Sequence, residues 1–154
     1  MSTERLLVSN LSAAYVAESV FSKLCFTVEA GELLAIMGGS GTGKSTLMSV
    51  LCGFMAGTSG SIRVDDQLIT DNGLHISPPQ ARRMGLMFQN YALFPHMTVA
   101  ENVAFGIRKD ADVESRVRSL LAFVDLDGFE ERSINSLSGG QKQRVALVRA
   151  LAPR

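Results

Sequence analysis

A glycine-rich loop between an apolar run and a helical segment constrains the fold of this chain most strongly. The loop reads Gly38-Gly39-Ser40-Gly41-Thr42-Gly43-Lys44-Ser45-Thr46 and satisfies the pattern G-x-x-x-x-G-K-[ST]. The apolar run before it, Leu33 to Met37, is typical of a strand buried on both faces, as in a parallel sheet, and Lys44 to Phe54 suits a helix. A strand, a tight turn and a helix in this order predict an α/β core around the loop.

The residue types of this loop predict that it binds the phosphates of a nucleotide. Glycines let the backbone wrap around phosphate oxygens, and the following helix contributes unpaired amides and its positive dipole end. Lys44 supplies a compact cation for the β- and γ-phosphates, and Ser45 offers a hydroxyl ligand to Mg²⁺. A glycine-rich turn without a ligand is the alternative, which the flanking strand and helix disfavour.

Composition excludes several other classes of protein. The 154 residues include 15 basic and 15 acidic ones, so the net charge of zero predicts no nucleic-acid partner. Cys25 and Cys52 lie in apolar surroundings without metal-ligand spacing and are predicted to be buried free thiols. The N-terminus lacks an apolar signal segment, and no apolar run approaches the roughly 20 residues of a membrane-spanning helix. These features predict a soluble cytosolic chain whose membrane role, if any, comes through a partner.

Periodicity predicts strands in the first half and helices in the second. Helices follow Pro95, with an apolar face spaced from Val113 to Val124 and a last amphipathic segment over Gly139 to Leu151. The pattern indicates an α/β core with a helical insertion. We expect a β-rich part over about 1–90, a helical part over about 91–141, and a return to the core over 142–154. The predicted strands are Leu6 to Val8, Leu24 to Val28, a hairpin of Ser61 to Val64 and Gln67 to Thr70 turning at Asp65-Asp66, and Met84 to Phe88.

The pentapeptide Leu137-Ser138-Gly139-Gly140-Gln141 resembles the signature motif of the ATP-binding subunits of ABC transporters. The helix after it, Lys142 to Leu151, is also similar to that family, and the resemblance covers about residues 6–153. Gln89, after Leu86-Met87-Phe88, resembles the family's Q-loop glutamine, and Tyr15 resembles the aromatic residue that stacks on adenine. The resemblance implies a P-loop NTPase fold with an N-terminal antiparallel β portion and a helical subdomain.

The resemblance also implies a division of the site between two subunits. ATP would contact Tyr15 and the loop from Gly38 to Thr46, with Mg²⁺ near Ser45 and Gln89, and Lys44 and Gln89 would be the catalytic residues. Ser138, Gly139, Gly140 and Gln141 would contact the ATP of a second ATP-binding subunit in a head-to-tail dimer. The alternatives are a plain helix cap at Ser138, an ordinary core or surface tyrosine at Tyr15, and a polar surface residue at Gln89.

The segment after Gln89 implies transport into the cell. Phe94 to Val103 is similar to importer ATPases that handle polyamines, iron(III), sulfate or thiamine, in which this region receives the coupling helix of the membrane subunit. The implied function is an ATPase coupled to import of a small solute. The implied partners are transmembrane permease subunits and an extracytoplasmic solute-binding protein, at the inner face of the cell membrane.

The sequence departs from the family after Arg154. Family members continue into the Walker B strand, with its Asp and Glu, and then to a switch histidine, so we expect an incomplete sequence. We expect the 154 residues alone to bind ATP weakly, to hydrolyse almost none, and to expose the run Leu33 to Met37, which lies beside the missing strands in the family fold. A non-catalytic ATP-binding fragment and an ABC ATPase with a non-transport role remain alternatives.

Overall fold

A computed structural model describes residues 4–16, 18–107 and 112–153 of the chain. Residues 1–3, which the signal-segment prediction includes, and Arg154 lie outside the described residues. The chain divides between Met84 and Gly85 into two compact units, and we describe each by itself.

The first unit is built on a five-stranded antiparallel sheet with the strand order β2-β1-β3-β4-β5. The central strand β1 pairs with β2 on one side and β3 on the other, and bulges interrupt both pairings. The predicted N-terminal strands and the predicted hairpin are confirmed. The strands are β1 Glu4–Tyr15, β2 Glu18–Glu29, β3 Ser59–Val64, β4 Gln67–Asp71 and β5 Leu74–His75.

The turn of the β3–β4 hairpin has the backbone that a short antiparallel hairpin requires. Asp65 and Asp66 both have positive φ angles, 48° and 63°. Two such residues in succession match the right-handed twist of the flanking strands, and Asp tolerates this conformation better than most residues. Local sequence was therefore sufficient to predict this turn.

One helix packs on the sheet and forms the core of the first unit. Helix α1 spans Lys44–Cys52 and ends at Gly53, close to the predicted bounds. Its apolar side chains meet those of the strands, and each fully buried aliphatic side chain contributes about 1.5–3 kcal/mol relative to exposure. The core contains Val8, Leu11, Ala13, Leu47, Val50, Leu51, Ile62, Val64 and Ile69.

Two predicted strands are wrong. Leu33 to Met37 and Met84 to Phe88 have no strand partner among the described residues. Leu33 is 94% exposed and Met37 is 91% exposed, which agrees with the exposure expected for this run. An apolar run becomes a strand only where another strand satisfies its backbone groups, and the sequence of the run does not contain that partner.

The prediction for the cysteines is half right. Cys52, at the end of α1, is buried, and burial raises the pKa of its thiol. Cys25 is exposed, because side chains alternate between the two faces of β2 and its neighbours Leu24 and Phe26 are the ones that pack against the core. Both thiols are free.

The second unit is a small helical cluster. Its helices are α2 Val99–Ala104, α3 Val113–Phe123 and α4 Gly139–Leu151, and the last has the predicted bounds. None of the helices in the described part of the chain is long and apolar enough to cross a lipid bilayer. The predicted apolar face of α3 is confirmed by the core, which contains Val99, Val103, Ile107, Val117, Leu120, Leu121, Val124, Leu126, Ile134, Leu137, Val145, Val148 and Ala152.

Candidate functional site

The glycine-rich loop leads directly into the first turn of α1. Gly43 is the N-cap of this helix, with a φ angle of 88°, and a Cβ there would lie 2.6 Å from Cγ1 of Val20. Both the backbone angle and the close approach therefore require glycine. No side chain caps α1, and its first turn carries no acidic residue. The amides of the first turn and the positive end of the helix dipole consequently favour an anion at this position.

The ammonium group of Lys44 lies inside the curve of the loop. Its Nζ donates to the carbonyl oxygen of Gly38 at 2.7 Å, to that of Gly39, and to Oγ1 of Thr42 at 3.2 Å. Thr42 in turn donates to the carbonyl oxygen of Gly39 at 3.0 Å. The loop thus holds a compact positive charge beside the amide-rich start of a helix. This combination suits a polyanionic group such as a triphosphate.

The hydroxyl-bearing residues after Lys44 differ in exposure. Ser45 is exposed on the first turn of α1, whereas Thr46 is buried. Ser40, Gly41 and Thr42 are exposed on the outer part of the loop. Of the two candidates Ser45 and Thr46, only the exposed Ser45 is accessible to a ligand of the loop.

Tyr15 lies at the end of the β1–β2 hairpin that meets the loop. It pairs with Glu18, and Val20, two residues further along β2, contacts the loop at Gly43. The side chain of Tyr15 is 56% exposed, so its ring faces solvent rather than the core. The structure brings Tyr15 and the loop to the same end of this hairpin, and its role in adenine stacking stays a prediction.

Gln89 belongs to the second unit and is exposed in a turn before α2. Tyr91 and Ala92, shortly after it, have positive φ angles of 63° and 46°, and Arg149 donates to both of their carbonyl oxygens, at 2.9 and 2.6 Å. The backbone next to Gln89 is therefore held in a conformation that residues with a Cβ rarely adopt.

The pentapeptide ends at the first turn of α4. Oγ of Ser138 accepts from the amide of Gln141 at 3.3 Å, and Oε1 of Gln141 accepts from the amide of Ser138 at 2.9 Å. This reciprocal pair is a capping box, so the helix-cap alternative is present in the structure. Gly139 and Gly140 are exposed, and a Cβ on either would meet open space. Their backbone is therefore accessible from outside the unit.

The chain matches the family described as ABC transporter over residues 21–154. It belongs to the ABC transporter family. The putrescine transport ATP-binding protein PotG of Escherichia coli is 42% identical over 99% of this chain and 40% of that protein. The sulfate/thiosulfate import ATP-binding protein CysA of Halalkalibacterium halodurans is 37% identical over 96% of this chain and 42% of that protein. The chain thus spans about 40% of the length of these curated relatives.

Solved structures of ABC proteins have the same fold. The cbiO1 protein of Clostridium perfringens, part of the cbiONQ ABC transporter complex, aligns with a TM-score of 0.83 and 28% identity over 99% of this chain and 62% of that chain. The ATP-binding cassette MJ0796, a dimer bound to ADP and Pi, aligns with a TM-score of 0.79 and 29% identity over 96% of this chain and 69% of that chain. The predicted fold class, a P-loop ATPase of the ABC type, is confirmed by this likeness.

This member of the ABC transporter family has an acidic groove on its helical unit. The groove encloses about 570 Å³ between α2, α3 and residues 128–131. Its walls include the apolar Ala100, Ala104, Val113 and Val117, and its charged residues are Glu101, Glu114, Arg118, Glu130 and Glu131. Arg118 pairs with Glu114, which leaves an excess of carboxylates among the described residues that line the groove. The predicted contact segment, Phe94 to Val103, overlaps α2, whereas the wall formed by α3 was not predicted.

Sequence reasoning also missed Arg82, which supports the far end of α1. Its guanidinium is only 1% exposed and donates to the carbonyl oxygens of Leu51 at 2.8 Å, Val50 at 3.2 Å and Ser77 at 3.0 Å. Burial lowers the pKa of Arg82, and its Nη2 lies 2.6 Å from Nδ1 of His75. Burial and the charge of Arg82 together lower the pKa of His75, which favours the neutral imidazole as acceptor. No local pattern marks this buried arginine, because its partners in α1, Val50 and Leu51, come from a distant segment.

Asn102 is a second missed residue, and it is completely buried in α2. Its Oδ1 accepts from the amide of Phe94 at 2.8 Å, and its Nδ2 donates to the carbonyl oxygens of Phe94 at 3.1 Å and Thr98 at 2.9 Å. One amide side chain thus holds the backbone between the Gln89 turn and α2. The available signal was a polar residue between the apolar residues of an amphipathic helix, which indicates a buried hydrogen-bond partner.

Proposed function

We propose that this chain forms part of the ATPase subunit of an ABC importer and that its loop from Gly38 to Thr46 binds the triphosphate of ATP. The observation that carries the proposal is the ammonium of Lys44 inside the loop, at the start of a helix that no side chain caps. A cation and a set of backbone amides at one point supply the charge and the donors that a triphosphate needs. The exposed ring of Tyr15 supports adenine stacking at the same end of the hairpin.

The donor set also fits Mg²⁺ shared with phosphate oxygens. The described residues contain no cluster of three or more His, Cys, Asp or Glu side chains suited to a metal, and Mg²⁺ often binds through few protein ligands with phosphates and water. The exposed hydroxyl of Ser45 and the exposed amide of Gln89 are the side chains that would hold it. Bound Mg²⁺ would supply neutralisation of phosphate charge. Lys44 would neutralise the same charge, and Gln89 would orient the attacking water.

We further propose that Ser138, Gly139, Gly140 and Gln141 contact ATP held by a second ATP-binding subunit. The exposed backbone of Gly139 and Gly140 supports this role, because a phosphate could approach their amides closely. The related cassette MJ0796 is described as a dimer bound to ADP and Pi, which supports a second ATP-binding subunit as the partner.

The proposal extends to the direction of transport and to the partner subunits. The relatives named above are proteins of putrescine transport and of sulfate or thiosulfate import, which supports import rather than a particular solute. The acidic groove beside α2 and α3 suits a basic amphipathic helix of a transmembrane permease subunit. A permease would bring the subunit to the cytoplasmic face of the membrane, and a solute-binding protein would deliver the solute outside.

A second function fits the 154 residues taken alone, namely ATP binding without turnover. The run Leu33 to Met37, which leads into the loop, is exposed and unpaired among the described residues. A loop anchored on one side only by an unpaired segment binds phosphate less firmly. Steady-state ATPase activity of the purified chain that disappears in Lys44→Ala would contradict this second function and leave the first intact.

The test of the proposal is ATP binding by the purified chain, measured by equilibrium dialysis with labelled ATP. We expect Lys44→Ala to weaken binding by about 10- to 100-fold, because it removes a charge-assisted contact worth roughly 1.5–3 kcal/mol. Lys23→Ala is the matched control, since Lys23 is an exposed lysine of the same unit on β2. Equal affinity in the Lys44→Ala and Lys23→Ala proteins would overturn the proposal.

A further inference from the structure

The backbone that follows Gln89 is held in an unfavourable conformation. Tyr91 and Ala92 are consecutive residues with φ angles of 63° and 46°. For residues with a Cβ, the left-handed region is disfavoured by contact between the Cβ and the backbone. The local hydrogen bonds, from the amide of Tyr91 to Phe88 at 2.9 Å and from that of Ala92 to Asn90 at 2.8 Å, span the turn. Such a turn persists only where the surrounding structure stabilises it.

Arg149 provides that stabilisation from helix α4. One nitrogen of its guanidinium donates to the carbonyl oxygen of Ala92 at 2.6 Å, and another donates to that of Tyr91 at 2.9 Å. The guanidinium carbon also lies 5.4 Å from the centre of the Phe94 ring, within cation–π range. A planar, fork-shaped donor can bond two successive carbonyl groups at once, which a lysine cannot do.

Arg149 connects helix α4 to the turn at Gln89. In the proposed function these two elements make different contacts with nucleotide. Arg149 lies in the last turn of α4, the helix that begins at Ser138. The carbonyl groups that it bonds belong to the turn that begins at Gln89. Burial lowers the pKa of Arg149, but an arginine remains charged at any physiological pH. The guanidinium therefore remains a charged donor to these carbonyl groups.

We infer that Arg149 is a positioning residue that ties the Gln89 turn to the signature helix α4, so that the two move as one body. The inference rests on the proposed function only for the role of Gln89 with Mg²⁺ and ATP. Asn102 holds the same connection at Phe94 from α2, so the backbone after Gln89 is bonded to two helices. A shift of α4 on contact with nucleotide would then be transmitted to Gln89 through two hydrogen bonds.

The first test is hydrogen exchange of the purified chain without nucleotide, followed by mass spectrometry of peptides that cover residues 88–94. We expect Arg149→Gln to accelerate exchange of the Tyr91 and Ala92 amides by about tenfold or more, since the turn opens when its carbonyl groups lose the guanidinium donor. Arg144→Gln is the matched control. Arg144 lies on the same helix and donates to the carbonyl oxygen of Val124 at 2.7 Å, next to Asp125 with a φ angle of 54°.

In the control, exchange should rise near Asp125 and stay unchanged over residues 88–94. If Arg149→Gln leaves the exchange of residues 88–94 unchanged, or if Arg144→Gln raises it equally, the inference is overturned. Should Arg149→Gln not fold, Arg149→Lys replaces it, with the same expectation at a smaller amplitude. Because no nucleotide is present, this result is independent of the proposed ATPase function.

The second test asks whether Arg149 acts through Gln89. Equilibrium dialysis measures the affinity for ATP with and without MgCl₂, and the ratio of the two affinities is the gain due to Mg²⁺. The variants are Arg149→Gln, Gln89→Ala and the double variant. We expect each single variant to reduce this gain by about three- to tenfold and the double variant to equal the singles, as for residues that act as a unit. Additive effects would overturn the inference. A wild-type chain without any gain would refute the proposed role of Gln89, and hydrogen exchange would still decide the role of Arg149.

Discussion

Two helices of this molecule have glycines at their N-terminal ends, yet only one of them has a side-chain cap. Helix α1 begins after Gly43 without a side-chain cap, and the ammonium of Lys44 lies within the preceding loop. Helix α4 begins after Ser138, and a capping box between Ser138 and Gln141 binds the amides of these two residues. Glycines near a helix start therefore lead to two different results. At α1 they accompany a positively charged anion site, and at α4 they accompany a capping box with an exposed backbone.

The starts of α1 and α4 also differ in how they would bind a phosphate. A phosphate at α1 meets a cation and amides that no side chain of the helix has already bonded, so the loop can bind it without rearranging a cap. At α4 the hydroxyl of Ser138 and the amide of Gln141 are already bonded to each other in the capping box. We therefore expect the loop to supply most of the affinity for ATP, and the pentapeptide to add a contact that matters when two subunits meet.

The largest expected effect comes from replacing Arg82, which supports the C-terminal end of α1. Arg82→Met should lower the free energy of unfolding by roughly 3–5 kcal/mol, because it removes a buried guanidinium that donates to the carbonyl groups of Leu51 and Ser77. Urea unfolding measures the change. The control is Arg63→Met, on the exposed face of β3, for which we expect a change below about 1 kcal/mol. Equal stability of the two variants would contradict this account of α1.

The next largest expected effect concerns the loop before α1. Gly43→Ala should weaken ATP binding by about 100-fold, because alanine disfavours a φ angle of 88° and its Cβ would lie 2.6 Å from Val20. Gly31→Ala is the matched control. Gly31 also has a positive φ, 81°, but nothing lies within 4 Å of a Cβ there. It should lose about 1 kcal/mol of stability and keep its affinity for ATP. Loss of binding in both variants would show that unfolding, not loop geometry, is responsible.

The smallest effect sharpens the comparison at α4. Ser138→Ala should cost about 1 kcal/mol of stability by removing the cap, with little change in ATP binding by the single chain. Thr98→Ala removes the same kind of capping box from α2 and should cost a similar amount. Sedimentation of the two variants with ATP then separates capping from contact with a partner. If self-association with ATP is equally affected in both, Ser138 acts only as a cap.

The comparison also explains which parts of the fold were predictable. The α4 bounds, the β3–β4 turn and the loop pattern are all determined by residues close together in the chain, so local sequence predicts them. The strand predicted at Leu33 to Met37 is wrong because a strand requires a partner elsewhere. Cys25 is exposed for a related reason, since its residue type does not reveal which face of β2 packs against the core.

The candidate site divides in the same way. Lys44, Ser45 and the loop glycines were predicted from a short motif, and the structure places Lys44 against the loop carbonyl groups. Arg82 and Arg149 were not predicted, because each bonds backbone atoms far away in the sequence, up to 58 positions in the case of Arg149. Backbone carbonyl groups occur at every residue, and a sequence pattern therefore does not specify which of them an arginine will reach.

The sequence by itself determined the family, the phosphate loop, the pentapeptide and the helical faces, since these depend on residue type at short spacing. Only the tertiary structure decided that Lys44 lies inside the loop, that Ser138 and Gln141 cap their own helix, and that Arg149 bonds the turn after Gln89. The physical reason is that hydrogen bonds and burial depend on distances in space, and folding brings together residues that the chain keeps far apart.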